Sequence, residues 1–251
     1  MTAITLITGA SAGLGVDFAR QLSGRGERLV LAARRKDRLD SLAAELGNSR
    51  AVAIDLGEPG AAARLMADIA AHGEEVGCLI NNAGFGLWGR FVDLDSAKQR
   101  QMIDLNCGTL AELCHAVVPA MIARGSGAIL NLASTAAFQP GPGMATYFAT
   151  KAFVLSFTEA LHEEVAKSGV RVTALCPGPT ATEFGDVAGF KGNGMFEKLS
   201  AKSSDVVAAG LKALDSNRAV VIPGLINKLG AQGHRLLPRT WLRKVTAAIK
   251  Y

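Results

Sequence analysis

The chain has 251 residues, 49% of them hydrophobic, with 27 Lys and Arg against 22 Asp and Glu for a formal charge of +5. That length suits one α/β domain with a large core, and no uninterrupted apolar run approaches the ~20 residues that span a bilayer. Cys78, Cys107, Cys114 and Cys176 are scattered and the four histidines are isolated, which argues for reduced thiols in a cytoplasmic protein and against a disulfide framework, a metal site or a Ser/His/Asp triad.

Ile4-Thr5-Leu6-Ile7 reads as a buried first strand. No basic segment precedes it, so it is not expected to be a secretory signal. Thr8-Gly9-Ala10-Ser11-Ala12-Gly13-Leu14-Gly15 follows at once, and then a helical pattern through Phe18, Ala19 and Leu22. A strand, a glycine-rich turn and a helix N-terminus make a phosphate cradle. Backbone approaches the anion closely, and free N–H groups and the helix dipole favour it. The spacing Gly-x-x-x-Gly-x-Gly differs from the commonest dinucleotide fingerprint, and the plain alternative is a tight strand-to-helix turn.

Further strands are expected near Val30, Val52, Leu79, Ile129, Val172 and Val221, with helical patterns such as Leu39–Leu46 and Ala61–Ala71 between them. This alternation predicts a single Rossmann-type domain: a doubly wound parallel sheet of about seven strands, helices on both faces and right-handed crossovers. Ligands of such sheets bind beyond the carboxyl ends of the strands. Gly9, Arg34, Asp55, Asn82, Ser134 and Pro177 would follow strands one to six in turn.

Tyr147 and Lys151 sit one helical turn apart, on one face. A fixed positive charge beside a phenol stabilises the phenolate and lowers a pKa that is ordinarily about 10. Ser134 can aim a hydroxyl at the same point. Together these groups would make a proton donor and an oxyanion stabiliser for carbonyl reduction. Asn106 falls inside a long apolar helix, where an amide needs a partner; a plain core hydrogen-bonding role is the alternative.

These pieces, in this order, resemble the short-chain dehydrogenase/reductase family: Thr8-Gly9-x-x-x-Gly13-x-Gly15, Asp55-Leu56, Asn81-Asn82-Ala83-Gly84, Asn106, Ser134, Tyr147-x-x-x-Lys151 and Pro177-Gly178. The resemblance covers about residues 3 to 222. It implies an oxidoreductase moving a hydride between a nicotinamide and a carbonyl or secondary alcohol. Tyr147 would be the proton donor and Ser134 the oxyanion partner. Lys151 would also hold the nicotinamide ribose, and Asn106 would support a water that passes protons to it. The cofactor would lie along Gly9, Ser11, Gly13, Leu14, Gly15, Asp55, Leu56, Asn82, Ala83, Gly84, Pro177, Gly178, Thr180 and Thr182, besides Tyr147 and Lys151.

The second strand runs into Arg34-Arg35, where an acidic residue would suit the ribose of NAD. A guanidinium suits a phosphate, so NADP(H) is expected; the alternative is a solvated basic pair opening the helix at Lys36. Many NADP-preferring relatives carry a second basic residue just before the middle glycine, where this chain has Ala12.

Residues 180–203, rich in Gly and Phe, are expected to form a lid. Phe85, Trp88, Phe138 and Met144, with lid residues Phe184, Phe190, Met195 and Phe196, suggest a largely hydrophobic small-molecule substrate, or else simply lid packing. After Asp215 come seven basic residues and no acidic one. That tail, from about residue 225, is expected to be a packed terminal helix. Contact with an anionic membrane surface is a less favoured alternative, and no motif supports nucleic-acid binding. The family resemblance implies a homodimer or homotetramer through the apolar helices around Val117–Met121 and Ala145–Phe157. A non-catalytic NADP-binding regulator on the same fold is the alternative function, which has no need of the Ser134, Tyr147, Lys151 and Asn106 set.

Overall fold

The computed structural model describes residues 1–189, 200–233 and 239–248. Seven parallel strands form one sheet in the order β3-β2-β1-β4-β5-β6-β7. The strands are β1 (Thr2–Thr8), β2 (Leu29–Ala33), β3 (Ser49–Ala53), β4 (Glu74–Asn81), β5 (Gly127–Leu132), β6 (Val170–Leu175) and β7 (Val220–Val221). All the expected strand centres lie in them. The order reverses between β1 and β4, which opens the crevice where doubly wound sheets bind ligands.

Each strand feeds both faces of the sheet by the period of two. Leu6, Val30, Leu79 and Ile129 enter one core with α3 (Ala61–Ala71), α5 (Leu110–Ala123) and α6 (Ala145–Glu164). Ile7, Leu31, Ile80 and Leu130 enter the other with α1 (Leu14–Ser23), α2 (Lys36–Leu46) and α8 (Ser203–Asp215). Such doubly covered strands read as near-continuous apolar runs; all five residues of β2 are buried.

Two features were not visible as such in the sequence. The long helix Ser96–Ala123 has mean hydropathy 1.3 over its most apolar window, enough by length and composition to cross a membrane, yet Met102, Leu113, Val117 and Met121 are buried in the protein's own core. It is also not uniform: α4 (Ser96–Ile103) passes through a π-helical stretch, Asp104–Thr109, before α5. In the lid, a short helix α7 (Phe184–Ala188) replaces the expected plain loop, and Thr180 bridges to Ala201. Phe190, Gly192, Gly194, Met195 and Phe196 lie outside the described residues.

The C-terminal segment forms α9 (Leu225–Gly233) and α10 (Arg239–Ala248). It is packed in part, with Ala231 and Thr246 buried. Leu225, Ile226, Leu229 and Trp241 are 62–79% exposed. Leu242, Val245 and Ile249, whose sequence spacing puts them on one helical face with Trp241 at its edge, are outside the described side chains.

Candidate active site

The carboxyl ends of β1 to β6 meet above the crevice. Gly9 and Gly13 take left-handed φ values of 66° and 53°, a region that glycine enters without steric cost. Gly15 is constrained by space instead. A Cβ there would lie 2.3 Å from the Gly9 carbonyl oxygen and 2.9 Å from the Ala10 Cα. Thr8 ties the cradle to β4, its hydroxyl accepting from the N–H groups of Asn82 and Ala83 at 3.0 Å each. The Asn82 side chain donates back to the Thr8 carbonyl at 2.9 Å.

Beside this turn is a cavity of about 280 Å³ lined by Gly9, Ser11, Gly13, Leu14, Arg34, Asp55, Leu56, Asn82, Ala83, Gly84 and Thr182. Those are the residues expected to hold the dinucleotide, apart from Gly15, which packs behind the turn, and those of the neighbouring cavity. The second cavity, of about 270 Å³, is lined by Ser134, Tyr147, Lys151, Pro177, Gly178 and Thr180. Leu14, Asn82, Gly84, Leu132, Thr182 and Phe184 line both, so the two form one continuous cleft. Gly9, Ser11, Gly13 and Leu14 line the cavity at the N-terminus of α1, a lining whose free N–H groups and helix dipole fit the phosphates of a dinucleotide.

α6 presents Tyr147 and Lys151 to this cleft, both buried. The Lys151 ammonium donates to the Leu132 carbonyl at 2.6 Å and lies 5.8 Å from the centre of the Tyr147 ring. Burial pulls Lys151 down to about 8 from its ordinary 10.5. Burial also pushes the Tyr147 phenol up to about 12, and the neighbouring Ser134 hydroxyl opposes that shift. The expected lowering of Tyr147 by Lys151 is therefore not what prevails here. Desolvation disfavours both charged forms, and the ammonium is engaged by a backbone carbonyl. Ser134 is itself anchored: its hydroxyl accepts from the Ala136 N–H at 3.1 Å and donates to the Pro177 carbonyl at 3.4 Å.

Asn106 belongs to the π-helical stretch and is 1% exposed. Its amide is fully used: it accepts from the Phe85 N–H at 3.1 Å and donates to the Phe85 carbonyl at 3.0 Å and the Thr150 hydroxyl at 3.1 Å. It thereby pins the β4 loop to α6. Gly84 exists for this approach, since a Cβ there would lie 2.9 Å from Asn106 Oδ1. π-Bulges of this kind recur at functional sites.

The apolar residues divide. Met144, Phe148 and Phe184 line the second cavity, and Phe184 packs on Tyr147 at 5.3 Å between ring centres. Phe85 lines the cofactor side. Phe138 does not face the site as expected. It packs against the main core, because the 3₁₀ turn Thr135–Phe138 carries it past the cleft. Trp88 lies outside both cavities; its backbone N–H donates to the Ala188 carbonyl at 3.0 Å.

The arginines after β2 also divide. Arg34 is 68% exposed and 3.9 Å from Asp55. Arg35 turns into the cleft and donates to the Ser11 hydroxyl at 3.2 Å and the Ser11 carbonyl at 3.1 Å. Glu183 joins Arg35 and Arg38. Sequence reasoning did not single out Arg38 or Glu183, because their contact closes over 145 positions and leaves no local pattern. No cluster of His, Cys, Asp or Glu suited to a metal occurs among the described residues.

A parallel sheet with a glycine cradle at its switch point, and beside it a Ser-Tyr-Lys set whose Tyr147 and Lys151 are buried, defines a nucleotide-dependent oxidoreductase fold. The chain belongs to the short chain dehydrogenase family, whose model matches residues 3–191. It is 40% identical over 189 residues to sulfoacetaldehyde reductase 2 of Chromohalobacter salexigens, covering 73% of this chain and 75% of that protein. It is 37% identical over 193 residues to an NADP-dependent 3-hydroxy acid dehydrogenase of Salmonella typhi, covering 76% of this chain and 77% of that protein. Among solved structures it is similar to a short-chain dehydrogenase from Sphingobium yanoikuyae in complex with NADPH. There the TM-score is 0.84 and the identity 34%, covering 100% of this chain and 96% of that one.

Proposed function

We propose that this protein is an NADP(H)-dependent reductase or dehydrogenase acting on an uncharged, largely hydrophobic ketone, aldehyde or secondary alcohol. The observation that carries the reading is the continuous cleft, with the glycine cradle and arginines at one end and Ser134, Tyr147 and Lys151 at the other. NADP(H) would lie along the cradle and supply or accept the hydride. Arg34 and Arg35 would meet its extra phosphate, as guanidinium groups suit phosphates.

Tyr147 gives its proton to the carbonyl oxygen in reduction and takes one back in oxidation. A phenol held near 12 is firmly protonated at neutral pH, the form that reduction uses. Ser134 donates a hydrogen bond to the oxygen as charge develops on it. Lys151 steadies the cofactor ribose, and Asn106 holds the loop and α6 in register. The substrate end, among the described residues, offers Met144, Phe148, Phe184 and Pro179 and no charged side chain other than Lys151. That lining favours an apolar substrate over an anionic one. A homodimer or homotetramer in the cytoplasm is the proposed state; the four cysteines are unpaired and helix faces remain open.

The test is nicotinamide absorbance with NADPH against a panel of ketones and aldehydes, for the protein and for Tyr147→Phe. The variant should bind NADPH by fluorescence titration yet turn over ~10²–10⁴-fold more slowly, the usual contribution of a positioned acid. Undiminished turnover would reject the role of Tyr147. NADPH binding without turnover of any carbonyl would favour the regulator.

A further inference from the structure

Glu183 lines the cofactor cavity three residues after Thr180, where the expected lid begins. One carboxylate oxygen accepts from Arg38 at 2.6 Å and the other from Arg35 at 3.0 Å. Arg38 first and Arg35 second hold its carboxyl below the usual carboxylate range. Arg35 is the same side chain that grips Ser11 in the cradle. A carboxylate received by two guanidinium groups presents the chemistry of a phosphate in its receptor. Its neighbours Thr182 and Phe184 line both halves of the cleft, and a Cβ on Gly13 would touch Thr182 at 3.0 Å.

We infer that Glu183 is an internal stand-in for the cofactor's 2′-phosphate: it holds Arg35, which lines the cleft, and Arg38 beside it, and competes with that phosphate for them. This rests on the NADP(H) reading above. A phosphomonoester carries up to two negative charges where Glu183 carries one, so it displaces the carboxylate, while a nucleotide without the 2′-phosphate leaves the latch closed. Glu183 is then a residue that sets nucleotide preference from the lid, by opposing the binding of the preferred cofactor, and it links release of the arginines to movement of Phe184 over Tyr147.

Isothermal titration with adenosine 2′,5′-bisphosphate and with 5′-AMP separates the possibilities without any turnover. Glu183→Gln should bind the bisphosphate about three- to tenfold more tightly than the unaltered protein, because two exposed ion pairs no longer compete, and bind 5′-AMP unchanged. Arg38→Gln should weaken the bisphosphate alone. A Glu183→Gln variant that binds the bisphosphate equally or more weakly would overturn the inference, since the carboxylate would then be orienting the arginines for the phosphate. If the unaltered protein does not distinguish the bisphosphate from 5′-AMP, the NADP(H) reading fails and this inference with it.

Discussion

Lys151 carries a charge in a place that disfavours it, and the consequence is measurable. Its pKa is about 8 in the fold against an ordinary 10.5. Below pH 8 it is protonated both folded and unfolded, and the burial penalty is fully present. Between pH 8 and 10.5 the unfolded chain binds more protons than the fold, so stability gained from this group rises with pH. Above 10.5 the penalty is gone. The penalty is about 3 kcal/mol, converted at 1.36 kcal/mol per pKa unit. Lys151→Met removes it but leaves the Leu132 carbonyl unpaired, at a cost of ~1–3 kcal/mol that does not vary with pH. The melting temperature of the variant relative to the unaltered protein should therefore be most favourable up to about pH 8 and decline from there to pH 10.5. A flat difference across that range would show that Lys151 is not destabilised by burial. At this scale Tyr147 and Lys151 were legible because their spacing is local. The balance between burial and charge on Tyr147 was not, since part of its burial comes from Phe184, which arrives from a segment 37 positions away.

Among elements, two glycines show which parts of the site are rigid. At Gly15, on the cradle helix, an added Cβ meets backbone at 2.3 Å, and the strand-turn-helix unit has no freedom to yield. Gly15→Ala should lower the melting temperature by several degrees and weaken NADPH binding at least tenfold, in the range of overpacking a core at ~1–3 kcal/mol. At Gly86, after β4, the Cβ meets Phe184 Cζ at 2.8 Å, Met144 Cε at 3.1 Å and Tyr147 Cδ2 at 3.3 Å. The first two are the far ends of side chains, one of them on the lid. Gly86→Ala should fold with nearly unchanged stability and NADPH affinity, and should alter KM for bulky substrates by shifting Phe184. Thermal melting, NADPH titration and steady-state kinetics on both variants check the contrast; similar losses in both would mean the lid is as rigid as the cradle. The strands and the cradle were readable from apolar runs and glycine spacing. The π-helical stretch and α7 were not. The former depends on Asn106 finding Phe85 across the fold, and the latter is five residues in a stretch of glycines with no helical period to announce it.

For the whole molecule, the proposed assembly would rest on the outward faces of α5 and α6. The apolar residues expected to meet a partner there divide between inside and outside. Val117, Met121, Phe148 and Leu155 are consumed by the protein's own packing. What remains on α6 is a stripe of Ala149, Phe153, Ser156 and Ala160, with Phe153 43% exposed and stacked on Phe157 at 5.8 Å. On α5 the exposed row is Ala116, Pro119, Ala120 and Ala123, with Ile122 45% exposed. Small residues let two helices approach closely, and a stripe on one protomer can meet its own copy across a two-fold axis. The described part of the tail does not cover it, since Phe153 stays open while Leu225, Ile226 and Leu229 face outward as well. Light scattering should therefore find a dimer or tetramer for the full chain and the same association for a chain ending at Gly224. Phe153→Arg, which adds a charge to the stripe without touching the cleft, should give monomers that still bind NADPH. A full chain that is monomeric at tens of micromolar would sink the assembly. A monomer that associates only after removal of the tail would mean that the tail covers the stripe in solution.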